Sequence, residues 1–470
     1  MKRKWRGAGR GAPMAGTGTA GAFRCPGSPA WALAVAAVAL LTAAAAAATN
    51  EVSRGVDRID LPTALRLAGA QNLDVQIARE RLVEARANHQ GAVAQFFPWL
   101  APGAAYRRHE GRVQAVDGTI FDADKQSYVV GGALTAQLDI GEAIYKSLAA
   151  KQLVRAADHA FAAQQQEAIL GAAQGYFDLA FGQAAVNVAK ESVRISSDYE
   201  NQVGRAVEGG IAFRGDQLRI RVQTERNQLA LRQAEEQQRL AGARLAQTLH
   251  LDAAVQLAVG DTDLAPLDLP GSNATVESLV REALTARPEL KQSQALVAAA
   301  RDAERGVLFG PMVPSLGAQA FVGGLGGGRN DDTGNFGDQQ EYAIGLNWRI
   351  GPGGLFDFSR RRAAASRLQG TRLTEEKIRD EIGRQVVEAF TRMRSTADQL
   401  ETARRALRDA EEGLRLAQTR QEFAVGVVLE NIQAEQDLTR ARLDYFKTVA
   451  EFNKAQYALT KAVGKLLPAP

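Results

Sequence analysis

Two stretches limit what this chain can become: from Ala143 to about Arg205, and again from Phe356 to about Phe423, it runs without a proline and is rich in Ala, Gln, Glu, Arg and Leu. At 1.5 Å per residue a helix of either length reaches on the order of 100 Å. Each stretch then meets glycine, at Gly209, Gly210 and Gly215 in the first case and at Gly426 in the second, and another helical pattern follows. Glycine at such a point reads as a tight reversal between antiparallel helices. On the last helix Leu438, Tyr445, Phe452 and Leu459 fall seven apart, while Ala441, Ala455 and Ala462 share a second register with Thr448. That is a left-handed coiled-coil pattern in which small residues admit close neighbours. An ordinary helical-bundle core is the other reading of the same pattern.

What precedes each long helix also recurs. The sequence from Leu61 to Leu100 returns loosely from Leu279 to Leu316, a duplication with a period of about 215 residues. One copy passes through Asn72-Leu73-Asp74-Val75 and closes on Phe96-Phe97-Pro98-Trp99-Leu100; the other passes through Arg287-Pro288-Glu289-Leu290 and closes on Met312-Val313-Pro314-Ser315-Leu316. Both are helices that deliver the chain to a proline and a strand.

Beyond each proline the period changes to two. Tyr342, Ile344, Leu346, Trp348 and Ile350 alternate with Ala343, Gly345, Asn347 and Arg349, and Tyr128, Val130, Leu134 and Leu138 alternate with Val129, Gly131, Thr135 and Asp139. These are strands with one apolar face. Each copy is expected to hold two, joined by polar loops over Glu110 to Lys125 and Gly323 to Gln340. A strand of roughly ten residues crosses a bilayer when tilted, yet unpaired edges cannot stand in hydrocarbon and closed barrels need at least about eight strands. Four strands that enter a membrane must therefore be pooled between chains. The alternative is a four-stranded sheet packed on helices in a soluble periplasmic coiled-coil scaffold. The segment from Asp252 to Ser278, with Pro266, Pro270 and Asn273, shows no strong period and reads as an equatorial linker between the copies.

The first 48 residues carry Lys2, Arg3, Lys4, Arg6, Arg10 and Arg24 and no acid, ahead of an apolar run from Pro29 to Ala48. This is the layout of a secretory signal peptide, with cleavage expected near Ala48, and an uncleaved anchor is the other reading of the run. The organisation expected is thus a signal peptide over 1–48, a first structural repeat over 49–264 and a second over 265–470. Removing six basic residues from the chain's 57 leaves 51 against 53 acids, so the mature chain is near −2. The electrostatic footprint of a nucleic-acid partner is absent. The single cysteine, Cys25, precedes the apolar run and leaves with it, so no lipidated cysteine is expected.

Catalytic vocabulary is sparse. His89, His109, His159 and His250 are isolated from one another and from any cysteine, so no metal site of ordinary spacing is expected. The run from Gly323 to Arg329 lacks the Lys-Ser/Thr of a phosphate cradle and reads as a flexible extracellular loop. No catalytic residues and no cofactor are assigned, and the chain is not expected to be an enzyme.

The order of signal peptide, helix, proline, hairpin, long helix, glycine turn and long helix, written twice, resembles the outer-membrane efflux protein family to which TolC belongs. The passage from Trp348 through Gly351-Pro352-Gly353-Gly354 to Asp357 and the reversal Arg420-Gln421-Glu422-Phe423-Ala424-Val425-Gly426-Val427 are similar to the family's pattern. The resemblance implies a mainly α protein with a membrane β-barrel. Three chains would contribute four strands each to a twelve-stranded barrel in the outer membrane, above a tunnel of long antiparallel helices in the periplasm. It implies a homotrimer that meets outer-membrane lipid, a periplasmic adaptor and an inner-membrane transporter, and acts as the passive exit channel of a tripartite efflux or type I secretion complex. The docking tips would be Gly209, Gly210 and Ile211 with Val425, Gly426 and Val427. The entrance acids would be Asp216 and Glu430, with Arg214 the cation nearest Asp216. Rings of carboxylates at a narrow mouth attract cations and, paired with arginine, hold it closed. Trp99 and Trp348, at strand ends, would sit in an interfacial aromatic belt.

Overall fold

The computed structural model describes residues 56–252, 254–260, 264–269, 274–330, 333–422 and 428–466. The expected signal peptide and the second reversal at Val425, Gly426 and Val427 lie outside them. The order is β1 (Asp57–Ile59), α1 (Leu61–Gln71), α2 (Leu73–Ala94), β2 (Trp99–Gln114), β3 (Ile120–Leu138), α3 (Ile140–Glu208), α4 (Arg214–Thr248) and β4 (Leu257–Val259). It continues with α5 (Val276–Ala286), α6 (Pro288–Phe309), a 3-10 turn (Gly310–Met312), β5 (Ser315–Arg329), β6 (Gly337–Asn347), α7 (Phe358–Glu422) and α8 (Val428–Val463). The series helix, helix, hairpin, long helix, helix occurs twice. Helices α3 and α7, of 69 and 65 residues, each run about 100 Å. Among the described residues no helix is long and apolar enough to cross a membrane.

Prolines mark the strand starts as the sequence predicts: Pro98 stands before β2 and Pro314 before β5. The hairpins, however, are far longer than expected. The stretches read as polar loops are mostly strand, and the first turn is only Ala115 to Thr119. Arg108 and Arg112 pair across it with Asp124 and Asp122, at 3.1 and 3.8 Å. Where both faces of a ribbon are polar, alternation leaves no apolar signal to read, and cross-strand charge pairs hold the ladder instead. The glycine run is strand as well. A Cβ at Gly326 would collide with the ring of Tyr128, and one at Gly324 with Phe336, whose ring stacks on Tyr128 at 5.8 Å.

The four long strands form one antiparallel sheet in the order β2-β3-β5-β6, so β2 and β6 each keep one edge without a neighbour among the described residues. Helix α3 packs against α4, α6, α2 and α8, and α7 against α8 and α6. One core gathers Ile169, Phe177, Leu179, Leu245 and Leu249 beneath α1; a second gathers Leu290, Val386, Phe390 and Leu459. Where strand gives way to helix the two halves meet: Gly141 touches the backbone of Gly310, and Arg360 at the start of α7 bonds Glu142 at the start of α3, 3.1 Å. Asp357 caps α7, taking the backbone N–H groups of Arg360 (2.9 Å) and Gly353 (2.8 Å) and the Ser359 hydroxyl. Those bonds hold its carboxyl down to about 2.

The interrepeat segment is less a linker than a strap. Strand β4 pairs in parallel with β1, and Leu267 and Leu269 lie on the first core. Two amides of α8 fasten it: Asn453 accepts from the Leu267 N–H (2.8 Å) and donates to the Ala265 carbonyl (3.0 Å), while Gln456 accepts from Leu269 (2.7 Å) and donates to Leu267 (2.8 Å). This also shifts the expected heptad. Leu438, Ala455, Leu459 and Ala462 are buried as predicted, but Val449, Ala450, Asn453 and Gln456 displace Tyr445 and Phe452 from the innermost positions. Here α8 is covered on three sides, by α3, α7 and the strap, so its buried face is wider than a coiled-coil seam.

Candidate functional site

The residues singled out in the sequence fall in two regions: the sheet, and the end of the bundle where α4 and α8 begin. In a strand, alternate residues share a face. The register places Leu100, Tyr106, Tyr128, Val130, Leu134, Ala320, Val322, Tyr342, Ile344 and Leu346 on one face. Most of it is exposed in the chain, up to 80% at Ile344, while toward Tyr128 the Phe336 ring lies over it. On β3 the apolar positions run from Tyr128 to Leu138, about 33 Å along the strand, which a barrel tilt reduces to roughly 25 Å. The second face holds Ala101, Gly103, Thr135, Ala133, Gln319, Ala343 and Gly345, mostly small or polar. Trp99 pairs in register with Thr135 and so belongs to this second face; Trp348 follows β6 and donates its indole N–H to the Met312 carbonyl at 3.4 Å. On the apolar face, the aromatic pair at the edge of the band is Tyr106 with Tyr128.

At the other end, α3 closes in a Schellman arrangement. Gly210 takes φ +74°, its N–H bonds the Val207 carbonyl (3.0 Å), and the Ile211 N–H bonds Ala206 (2.8 Å). The bonds turn the chain so that Ile211 and Phe213 project, 87% and 83% exposed. Helix α4 starts at once, with Asp216 in its first turn, and α8 carries Glu430 at the matching place. An acid there is favoured by the free N–H groups of the helix start. Asp216 is bonded by Arg219 at 3.2 Å, not by Arg214: residues three apart share a helix face and residues two apart do not. Glu430 is bonded by Arg420 of α7 at 3.0 Å, a pair that ties the two arms together. Val203, Ile220 and Ile432 pack together beside both acids, so the starts of α4 and α8 share one end of the bundle.

Behind this end lies a polar layer that sequence reasoning missed. Asn227 of α4 donates to Ser196 (3.1 Å), the Ser192 carbonyl (3.2 Å) and Glu435 of α8 (3.4 Å); Gln223 donates to Asn227 (2.9 Å), and Gln436 to Gln223 (2.7 Å). Glu435 is 6% exposed, and burial pushes its carboxyl up to about 7 against the Asn227 bond. Arg194 lines the same cleft but is held by Glu191 and Asp198. No sequence signal marks it, because acids and amides are frequent all along α4 and α8. Among the described residues no group of His, Cys, Asp and Glu is arranged to hold a metal.

A four-stranded sheet with one apolar face, standing on helices of this length, has the fold of an outer-membrane channel subunit. It superposes on the Campylobacter jejuni CmeC outer membrane channel with a TM-score of 0.75 at 15% identity, covering 87% of each chain. It superposes likewise on the open-state MtrE outer membrane channel of Neisseria gonorrhoeae, with a TM-score of 0.70 at 18% identity, covering 87% of this chain and 90% of that one. In sequence it is 28% identical over 329 residues to protein CyaE of Bordetella pertussis, which spans 68% of this chain and 66% of that relative, just under two thirds of its length. The pattern of the outer membrane efflux protein family matches residues 64–249 and again 279–465. The chain belongs to that family.

Proposed function

We propose that three copies of this chain, each built from repeats over 49–264 and 265–470, close a twelve-stranded barrel in the outer membrane and continue into a periplasmic helical tunnel. The assembly is a passive exit duct for an efflux or type I secretion system. A periplasmic adaptor docks at the reversals, around Gly209, Gly210 and Ile211 and the counterpart Val425, Gly426 and Val427, and an inner-membrane transporter drives the cargo. Asp216 and Glu430 line the entrance, with Arg214 at its rim.

The observation that carries this reading is the sheet. Its two free edges and exposed apolar face are costs that water does not offset and that a closed barrel in lipid removes. Four strands are too few to close alone, and three copies supply twelve. The small and polar second face then lines the lumen. Membrane fractionation followed by unheated and boiled gel electrophoresis tests it: a heat-labile trimer in the outer-membrane fraction is expected, and a soluble monomer would instead leave a periplasmic scaffold.

A further inference from the structure

The outer stretch of the sheet's second face carries charge of one sign. Beyond the apolar band, Arg107, His109, Lys125 and Arg329 all fall on it, with His109 directly opposite Lys125 and Lys125 directly opposite Arg329. Neighbouring strands are about 4.8 Å apart, so these groups stand within roughly 10 Å of one another. All four are exposed. The cations of the other face are treated differently: Arg108 pairs with Glu110 (2.5 Å) and Asp124 (3.1 Å), and Arg112 with Asp122. None of Arg107, Lys125 and Arg329 has such a partner among the described residues; Asp331 and Asp332, just past Arg329, lie outside them. The nearest acid in register on the second face is Glu341, opposite Phe321 and eight residues along the ladder from Arg329, about 26 Å away.

Like charges directly opposite on a ladder destabilise it. An anion seated between such a Lys and Arg would remove that repulsion. The groups suit one. Arginine presents a planar fork matched to carboxylate or phosphate, and the guanidinium of Arg329 is steadied over the Phe121 ring at 5.9 Å.

We propose that Arg107, His109, Lys125 and Arg329 form an anion-binding collar on the lumen face of the sheet's outer end, selective for solutes bearing several carboxylates or phosphates. Its place in the conduction path rests on the channel reading above; the binding itself does not. Repeated in each copy, the collar draws multivalent anions toward the exit and slows small cations.

The probe is citrate, titrated calorimetrically into the detergent-purified full-length protein at low ionic strength. Citrate is expected to bind, more weakly as salt rises. The double variant Lys125→Gln/Arg329→Gln is expected to lose at least tenfold in affinity, and Arg112→Gln, on the opposite face, to stay within twofold. No binding by the unaltered protein, or equal loss in the Arg112→Gln control, overturns the collar. Citrate added to the outer side of a planar bilayer is also expected to block the conductance, and the double variant to relieve the block. Retained calorimetric binding with no block would leave the collar standing and contradict the channel reading instead.

Discussion

Glu435 is the residue whose chemistry is least ordinary. Its carboxyl titrates near 7 in the folded chain against about 4.5 in the unfolded one, so the folded state keeps a proton the unfolded state has released. That stability is fully present below the unfolded value and falls as pH rises from about 4.5 to 7, by up to about 3 kcal/mol. Glu435→Gln keeps an acceptor for Asn227 and removes the charge. The melting temperature in detergent is therefore expected to fall between pH 5 and 8 in the unaltered protein and to stay flat in the variant, and parallel curves would contradict this. Asn453 makes the opposite case, a neutral side chain wholly buried with both its groups used. Asn453→Ala strands the Leu267 N–H and the Ala265 carbonyl and is expected to cost roughly 2–4 kcal/mol in urea unfolding, with the loss concentrated in hydrogen-exchange protection of the strap. Neither residue was legible from the sequence as important, because a buried amide or acid in a polar helix looks like its solvated neighbours. Asp216 and Glu430 were legible as first-turn acids. Their partners were not, since Arg219 follows from helix geometry and Arg420 only from the packing of α7 on α8.

Among elements, the long helices and the proline-marked strand starts could be read directly, because composition and period are local properties. The length of the hairpins could not, because cross-strand pairs such as Arg108 with Asp124 and the seating of Tyr128 over Gly326 are set by register. Nor could the strap, whose partners lie nearly 190 residues away. The strand β6 gives an element-scale test. Ile344 is 80% exposed in the single chain, so in water Ile344→Arg should be neutral or stabilising. On the apolar face of β6 between Tyr342 and Leu346, it is expected to cost up to about 2–4 kcal/mol per chain in lipid and to lower the yield of heat-labile trimer. Ala343→Arg, pointing to the second face, is the comparison: both variants behaving alike would contradict the assignment of faces.

For the molecule as a whole, the proposed entrance makes the pairs Asp216 with Arg219 and Glu430 with Arg420 the candidates for holding it closed. Asp216→Ala with Glu430→Ala frees Arg219 and Arg420 and is expected to raise single-channel conductance in planar bilayers several-fold; unchanged conductance would remove both acids from the gate. All of this depends on one arrangement, the β2 edge of one copy bonded to the β6 edge of the next. The mature chain expected from the sequence has no cysteine, so new ones report cleanly. The most direct test pairs Ala104→Cys on β2 with a cysteine at each position from 340 to 346 on β6, oxidises intact membranes and resolves the products on boiled, non-reducing gels. A barrel closed between chains gives covalent dimers and trimers at one narrow register with alternating efficiency along β6. Monomer at every position, or cross-links with no preferred register, would contradict the account.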